Sequence, residues 1–214
     1  MSFVPLKTLY YKKLKFVYFA FLFLCLFLIG CASLKMQRGN NSESSDDALI
    51  KKYLVAQKYY WESKQKSSLE ILNEILKLNP NFIPALKLKV FLLDDIGQRD
   101  EAIKLLKKLK EIGNDSLDNN LILYMFLDLE RKYEEAESIL KYSLEKWPDD
   151  INVKKAWMEF LFEQCRFSDA QKEANEILSL KWNEAAEENI SAKKSAEEML
   201  KKIELKKVEQ FKNN

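Results

Sequence analysis

From residue 49 onward the pattern of apolar and polar positions repeats every 34 residues. Leu72, Leu106, Leu140 and Ala174 share one phase, and Tyr59, Leu93, Leu127 and Leu161 share another. Ala102, Ala136 and Ala170 mark a third, with Ser68 at the equivalent place one period earlier. Pro80 and Pro148 lie two periods apart, with Asn114 between them and Trp182 one period beyond. Gly97, two residues after Asp94-Asp95, falls where a tight turn between two helices is expected. No stretch alternates apolar and polar residues as a half-buried strand would, so the pattern predicts an all-α chain.

Local chemistry predicts the helix ends. Ser67-x-x-Glu70 and Ser168-x-x-Gln171 read as capping boxes at the starts of second helices. Asp100 is expected to cap the second helix of the second unit, and Asp150 the first helix of the fourth. Asn79-Pro80 and Trp147-Pro148 predict helix stops, because proline has no N–H to donate to the preceding turn.

The strongest repeats of the pattern are "GQRDEAIKLLKKL", "RKYEEAESILKYSLEKWP" and "CRFSDAQKEANEIL". With their 34-residue period they resemble the tetratricopeptide repeat, whose unit is a helix-turn-helix. The resemblance covers four units: 49–82, 83–116, 117–150 and 151–184. It implies a right-handed superhelical solenoid in which each helix pair needs its neighbours to cover its apolar face. The chain departs from the family at two positions. The glycine or alanine of the first helix is Ala56 in one unit but Val90, Tyr124 and Met158 in the others. The tryptophan position holds Lys52, Leu86, Asn120 and Lys154. Bulky residues at the small position are expected to loosen or retilt the helix pairs.

A solenoid needs a polar cap at its end. Residues 185–214 meet that need with a stripe of Ala185, Ala192, Ala196, Met199, Leu200, Ile203 and Phe211 at helical spacing. Pairing with a second protomer is the alternative use of that stripe. Residues 31–48 are polar and read as a tether before the solenoid of residues 49–184.

The first 30 residues have a different character. Lys7, Lys12, Lys13 and Lys15 precede an apolar run from Phe16 to Ile29, followed by small Gly30 and Cys31. This is the order of a secretory signal. Leu28-Ile29-Gly30-Cys31 resembles the lipobox of bacterial lipoproteins, which implies cleavage before Cys31 and lipid on its thiol. A retained membrane helix is the alternative, although the 19 uncharged residues 16–34 only just meet the roughly 20 required.

Composition then narrows the function. The full chain carries a formal charge of +2, but residues 1–30 contribute four lysines and no acid, so the remainder is slightly acidic. That removes the electrostatic support for a nucleic-acid partner. Histidine is absent, and only Gly39, Gly97 and Gly113 follow the signal. His-based catalysis, His-containing zinc sites and glycine-rich phosphate loops are therefore ruled out. Only four arginines, Arg38, Arg99, Arg131 and Arg166, are available for bidentate anion recognition. With Cys25 removed and Cys31 acylated, Cys165 has no disulfide partner and reads as a core or turn residue. The chain is read as a non-enzyme with no cofactor beyond its covalent lipid, and no small-molecule substrate is expected.

In tetratricopeptide proteins the first helix of each unit lines a groove that receives a peptide. The resemblance carries that role to Tyr53, Gln57, Tyr60 and Trp61, then Lys87, Phe91, Asp94 and Asp95. In the third and fourth units it carries it to Leu121, Met125, Asp128 and Leu129, then Lys155, Glu159, Phe162 and Glu163. Between Leu121 and Leu129 only Asp128 is polar, so that helix is either covered on all sides or offers a binding face. Phe91, Leu121, Met125 and Leu129 are the candidate anchors for a partner's apolar side chains.

The expected function is a membrane-anchored adaptor of the bacterial cell envelope, holding a protein or peptide in this groove. The alternative is an obligate subunit of an envelope-assembly machine. The same two features resemble lipoproteins of barrel assembly, of pilus assembly, and adaptors of peptidoglycan enzymes. Ala32 stands where aspartate would retain an enterobacterial lipoprotein at the inner membrane. The expected place is therefore the outer membrane facing the periplasm, with the cell surface as the alternative.

Overall fold

A computed structural model describes residues 45–180 and 186–213. The chain divides into Met1–Ser44 and Ser45–Asn214, and every described residue belongs to the second unit. Cys31, its lipobox Leu28, Ile29 and Gly30, and also Trp182 and Ala185, lie outside the described residues.

Nine helices and no strand are present among the described residues. They are α1 (Ser45–Trp61), α2 (Gln65–Leu78), α3 (Ile83–Asp95), α4 (Arg99–Glu111), α5 (Leu117–Leu129), α6 (Tyr133–Lys146), α7 (Ile151–Glu163), α8 (Phe167–Ser179) and α9 (Glu187–Asn213). First helices start at Ile83, Leu117 and Ile151, and second helices at Gln65, Arg99, Tyr133 and Phe167. The 34-residue period of the sequence is thus the period of the structure. α1 begins at Ser45, ahead of the expected Leu49. Asp46 and Asp47 occupy its first turn, where the helix dipole favours anions.

Each hairpin turns the same way. Ser63, Gly97, Arg131 and Cys165, spaced by one period, all have positive φ, at 57°, 78°, 57° and 59°. At each turn the next amide reaches back five residues to a helix carbonyl: Lys64 to Tyr59, Gln98 to Leu93, Lys132 to Leu127 and Arg166 to Leu161. Ser63, Gly97, Arg131 and Cys165 themselves donate three residues back, which completes a Schellman motif in every unit. Cys165 is exposed in this turn.

The turn also decides how second helices begin, and here three expectations fail. The N-cap residues are Lys64, Gln98, Lys132 and Arg166, none with a side-chain cap. The Schellman turn fixes the start immediately after the left-handed residue. Ser67 and Ser168 therefore fall inside their helices rather than at the cap, and so does Asp100. Asp150 does cap α7, accepting from the amides of Asn152 at 2.8 Å and Val153 at 3.2 Å. Ser116 caps α5 in the same way, accepting from Asn119 at 3.3 Å. Helices α2 and α6 stop at Leu78 and Lys146, before the expected prolines.

α1 packs on α2, α3 on α4, α5 on α6 and α7 on α8, and each second helix meets the next first helix. The alanine phase explains how closely: Ala102, Ala136 and Ala170 are fully buried. Ser68, in the same phase and equally buried, donates its hydroxyl to the Ala56 carbonyl at 2.8 Å across the hairpin. Opposite this phase the bulky Val90, Tyr124 and Met158 are buried as well. At the family's tryptophan position, Lys52 pairs with Glu74 at 3.0 Å and Lys154 with Glu176 at 3.1 Å. Leu86 is simply buried. Asn120 donates to Asp115 Oδ1 at 2.6 Å and to the Ser116 carbonyl at 2.8 Å. An ion pair in two units, apolar burial in one and a loop hydrogen bond in another therefore occupy one position of the repeat.

α9 packs on α8 and α7 through Ala192, Ala196, Met199 and Ile203, which are buried. Leu200 is half-buried, and Leu205 and Val208 are exposed beyond the stripe.

Candidate functional site

First helices meet where α1 joins α3 and where α5 joins α7. The Tyr60 hydroxyl on α1 donates to Asp95 Oδ2 on α3 at 2.7 Å. On α5, the Tyr124 ring stands edge-on to Phe160 of α7, with centroids 6.2 Å apart. Burial raises the Tyr60 hydroxyl well above its ordinary range, and the Asp95 bond adds to it. Burial does the same to Tyr124, reinforced by the carboxylates of Asp128, Glu163 and Glu159. Both phenols thus stay protonated, and exposed carboxylates stand at the C-terminal ends of α3 (Asp95) and α7 (Glu163), while Asp128 of α5 is buried.

The residues assigned to the groove are placed unequally. Tyr53 is buried edge-on to Phe82, its hydroxyl accepting from Gln57 Nε2. Phe91 and Met125 expose only 5% and 8% of their surface, so serine at either position would remove packing as well as any anchor. Leu121, Lys87, Lys155 and Phe162 are half-buried, and Phe162 packs on Phe167. Leu129 is 40% exposed and Trp61 54%. Every residue of α5 from Ile122 to Asp128 is buried. The apolar character of that helix is therefore that of a covered central helix, with surface left at its two ends.

Sequence reasoning missed the struts between units. Arg99 Nε donates to Asp94 Oδ1 at 2.8 Å, and its Nη1 reaches Glu130 Oε1 of the next unit at 2.7 Å. Its guanidinium also lies over the Phe126 ring, 5.8 Å from the centroid. Lys132 and Arg166, one period apart, each reach back to the preceding second helix, at Asp100 (2.6 Å) and Glu137 (2.9 Å). The scarcity of arginine was the available signal: Arg99 and Arg166 are used where a planar fork can hold two carboxylates at once.

A second knot joins the α4–α5 loop to α6. Asp115 accepts from Lys146 at 2.5 Å, from Asn120 and from the Tyr142 hydroxyl, while Lys110 sits 3.4 Å from the Tyr142 ring centre. Burial pushes the Asp115 carboxyl up, but these hydrogen bonds outweigh it and hold it down at about 2. Among the described residues no group of three or more metal-ligating side chains is gathered. No described helix is long and apolar enough to cross a membrane.

No family model matches the chain, and no curated relative matches it. Solved structures do. MamA residues 41 to the end from Desulfovibrio magneticus RS-1 superposes with a TM-score of 0.56 at 14% identity, covering 64% of this chain and 78% of that one. YrrB, described as a TPR protein with an unusual peptide-binding site, gives 0.53 at 13% identity over 71% of this chain and 86% of that one. A tetratricopeptide repeat protein from Parabacteroides merdae gives 0.51 at 18%, over 73% and 64%. At these identities the likeness establishes the fold: an all-α solenoid of tetratricopeptide helix-turn-helix units.

Proposed function

We propose that this chain is a lipid-anchored scaffold of the bacterial envelope that holds a protein partner along its first-helix face. The observation that carries the reading is the recurrence of first helices in four hairpins at one fixed period, with α1 against α3 and α5 against α7. It leaves a surface with half-buried Leu121 and Phe162, exposed Leu129 and the exposed carboxylates of Asp95 and Glu163. A partner suited to it is a segment with apolar side chains flanked by basic ones. YrrB supports this reading, since its described peptide-binding site belongs to a solenoid of the same fold.

The anchor rests on Leu28-Ile29-Gly30-Cys31 and the basic-apolar order before it. Several acyl chains hold a protein at a bilayer nearly permanently, at about 0.8 kcal/mol per buried CH₂. Confinement to that surface raises the effective concentration of membrane neighbours, so modest groove affinity suffices. Ala32 after the cysteine favours the outer membrane, facing the periplasm. Nothing in the reading requires a cofactor or catalysis.

Crosslinking in cells followed by affinity purification tests it. Wild type should retain a partner that Leu129→Asp loses at unchanged helicity, and Cys31→Ser should release the chain from membranes. Several substoichiometric partners identify an adaptor, and one stoichiometric complex identifies a dedicated subunit of an assembly machine. Equal capture by wild type and Leu129→Asp would refute the groove.

A further inference from the structure

α1 carries a second surface. Leu49, Tyr53 and Ala56 face the solenoid and are buried, whereas Ile50, Leu54 and Trp61 are 47%, 45% and 54% exposed. At 3.6 residues per turn these three fall within about 40° of arc, on a different side from Tyr53 and Ala56. Lys51 and Lys58 stand next to the stripe and are exposed, as are Asp47 and Glu62, the latter pairing with Lys58 at 3.8 Å. An indole beside aliphatic side chains and flanking lysines is the composition of a helix lying in a membrane interface. The area favours that occupant over a second copy of the chain. Three half-exposed side chains fall far short of the roughly 800 Å² per partner of a stable protein interface.

We propose that α1 rests on the bilayer through Ile50, Leu54 and Trp61, with Lys51 and Lys58 at the headgroups. This rests on lipidation of Cys31, which supplies the proximity: 13 residues lie between Cys31 and Ser45, a reach of at most about 50 Å. The lipid provides the affinity, and the stripe fixes which side of the solenoid faces the membrane. Trp61 then belongs to the bilayer contact and not to the partner groove.

The test uses the full lipidated protein in vesicles of phosphatidylethanolamine and phosphatidylglycerol with brominated acyl chains, which quench nearby tryptophan. Wild type should lose part of its emission. Trp61→Phe should lose that bromine-dependent component, as should Ile50→Ser combined with Leu54→Ser, in which Trp61 is retained. Equal quenching in wild type and Trp61→Phe overturns the inference. So does a dimer in detergent that the Ile50/Leu54 double variant dissociates. Mass spectrometry of wild type and Cys31→Ser separates the two readings. An acylated, vesicle-bound chain without Trp61 quenching keeps the anchor and defeats the α1 contact, while absence of acyl mass on Cys31 defeats both.

Discussion

Arg131 and Cys165 stand one repeat apart and hold the same left-handed backbone, at φ of 57° and 59°. The hairpin geometry demands that conformation whatever residue occupies the position. An L-residue there costs roughly 1–2 kcal/mol, which glycine avoids. Only Gly97 meets the demand without strain. Cys165→Gly and Arg131→Gly should therefore raise stability by about 0.5–1 kcal/mol each, and Gly97→Ala should lower it by about 1 kcal/mol. A Cβ at Gly97 meets nothing within 4 Å, so the loss would be purely conformational. Urea titrations of the three variants check both signs.

The Arg99 strut makes a claim about cooperativity. Stability in a stacked array is the sum of unit terms and neighbour terms, and Arg99 joins the second unit to the third. Arg99→Leu leaves Asp94, whose side chain is only 7% exposed, without its arginine. A loss of about 1–3 kcal/mol is expected. Because one junction is weakened, the urea transition should also broaden. A variant that is less stable but unfolds as sharply as wild type would remove the coupling role.

Asp115 predicts a pH dependence. Its carboxyl is held at about 2 in the folded chain, below the ordinary aspartate value. A lowered folded pKa stabilises above the unfolded value, and the contribution disappears as pH falls through the folded one. The stability gap between wild type and Asp115→Asn should be constant near neutral pH. It should then shrink as pH falls from about 4 towards about 2. Tyr142→Phe, which removes one of the donors, should show a smaller gap with the same pH profile.

How much was legible beforehand follows from which interactions are periodic. The starts of α3, α5 and α7, the helix stops at Leu78 and Lys146, and the Asp150 cap follow from residues that recur or punctuate. The buried stripe of α9 followed from helical spacing. The caps at Ser67, Ser168 and Asp100 were misplaced because a Schellman turn, fixed by backbone geometry at Ser63, Gly97, Arg131 and Cys165, sets where second helices begin. Three of those four residues are not glycine, so the sequence hid the turn. The groove was legible only as positions. Burial of Phe91 and Met125 depends on packing between units, and so do the struts from Arg99, Lys132 and Arg166.

The most direct test of the scaffold reading is site-specific photocrosslinking in living cells. A photoreactive residue placed at Leu129 or Phe162 reports on the first-helix face, and one at Ser138 or Glu145 on the second helix α6. Leu129 and Phe162 should capture one and the same partner, in the membrane fraction only, while Ser138 and Glu145 should capture none. Capture of the same protein equally from both faces, or from α6 alone, would contradict it.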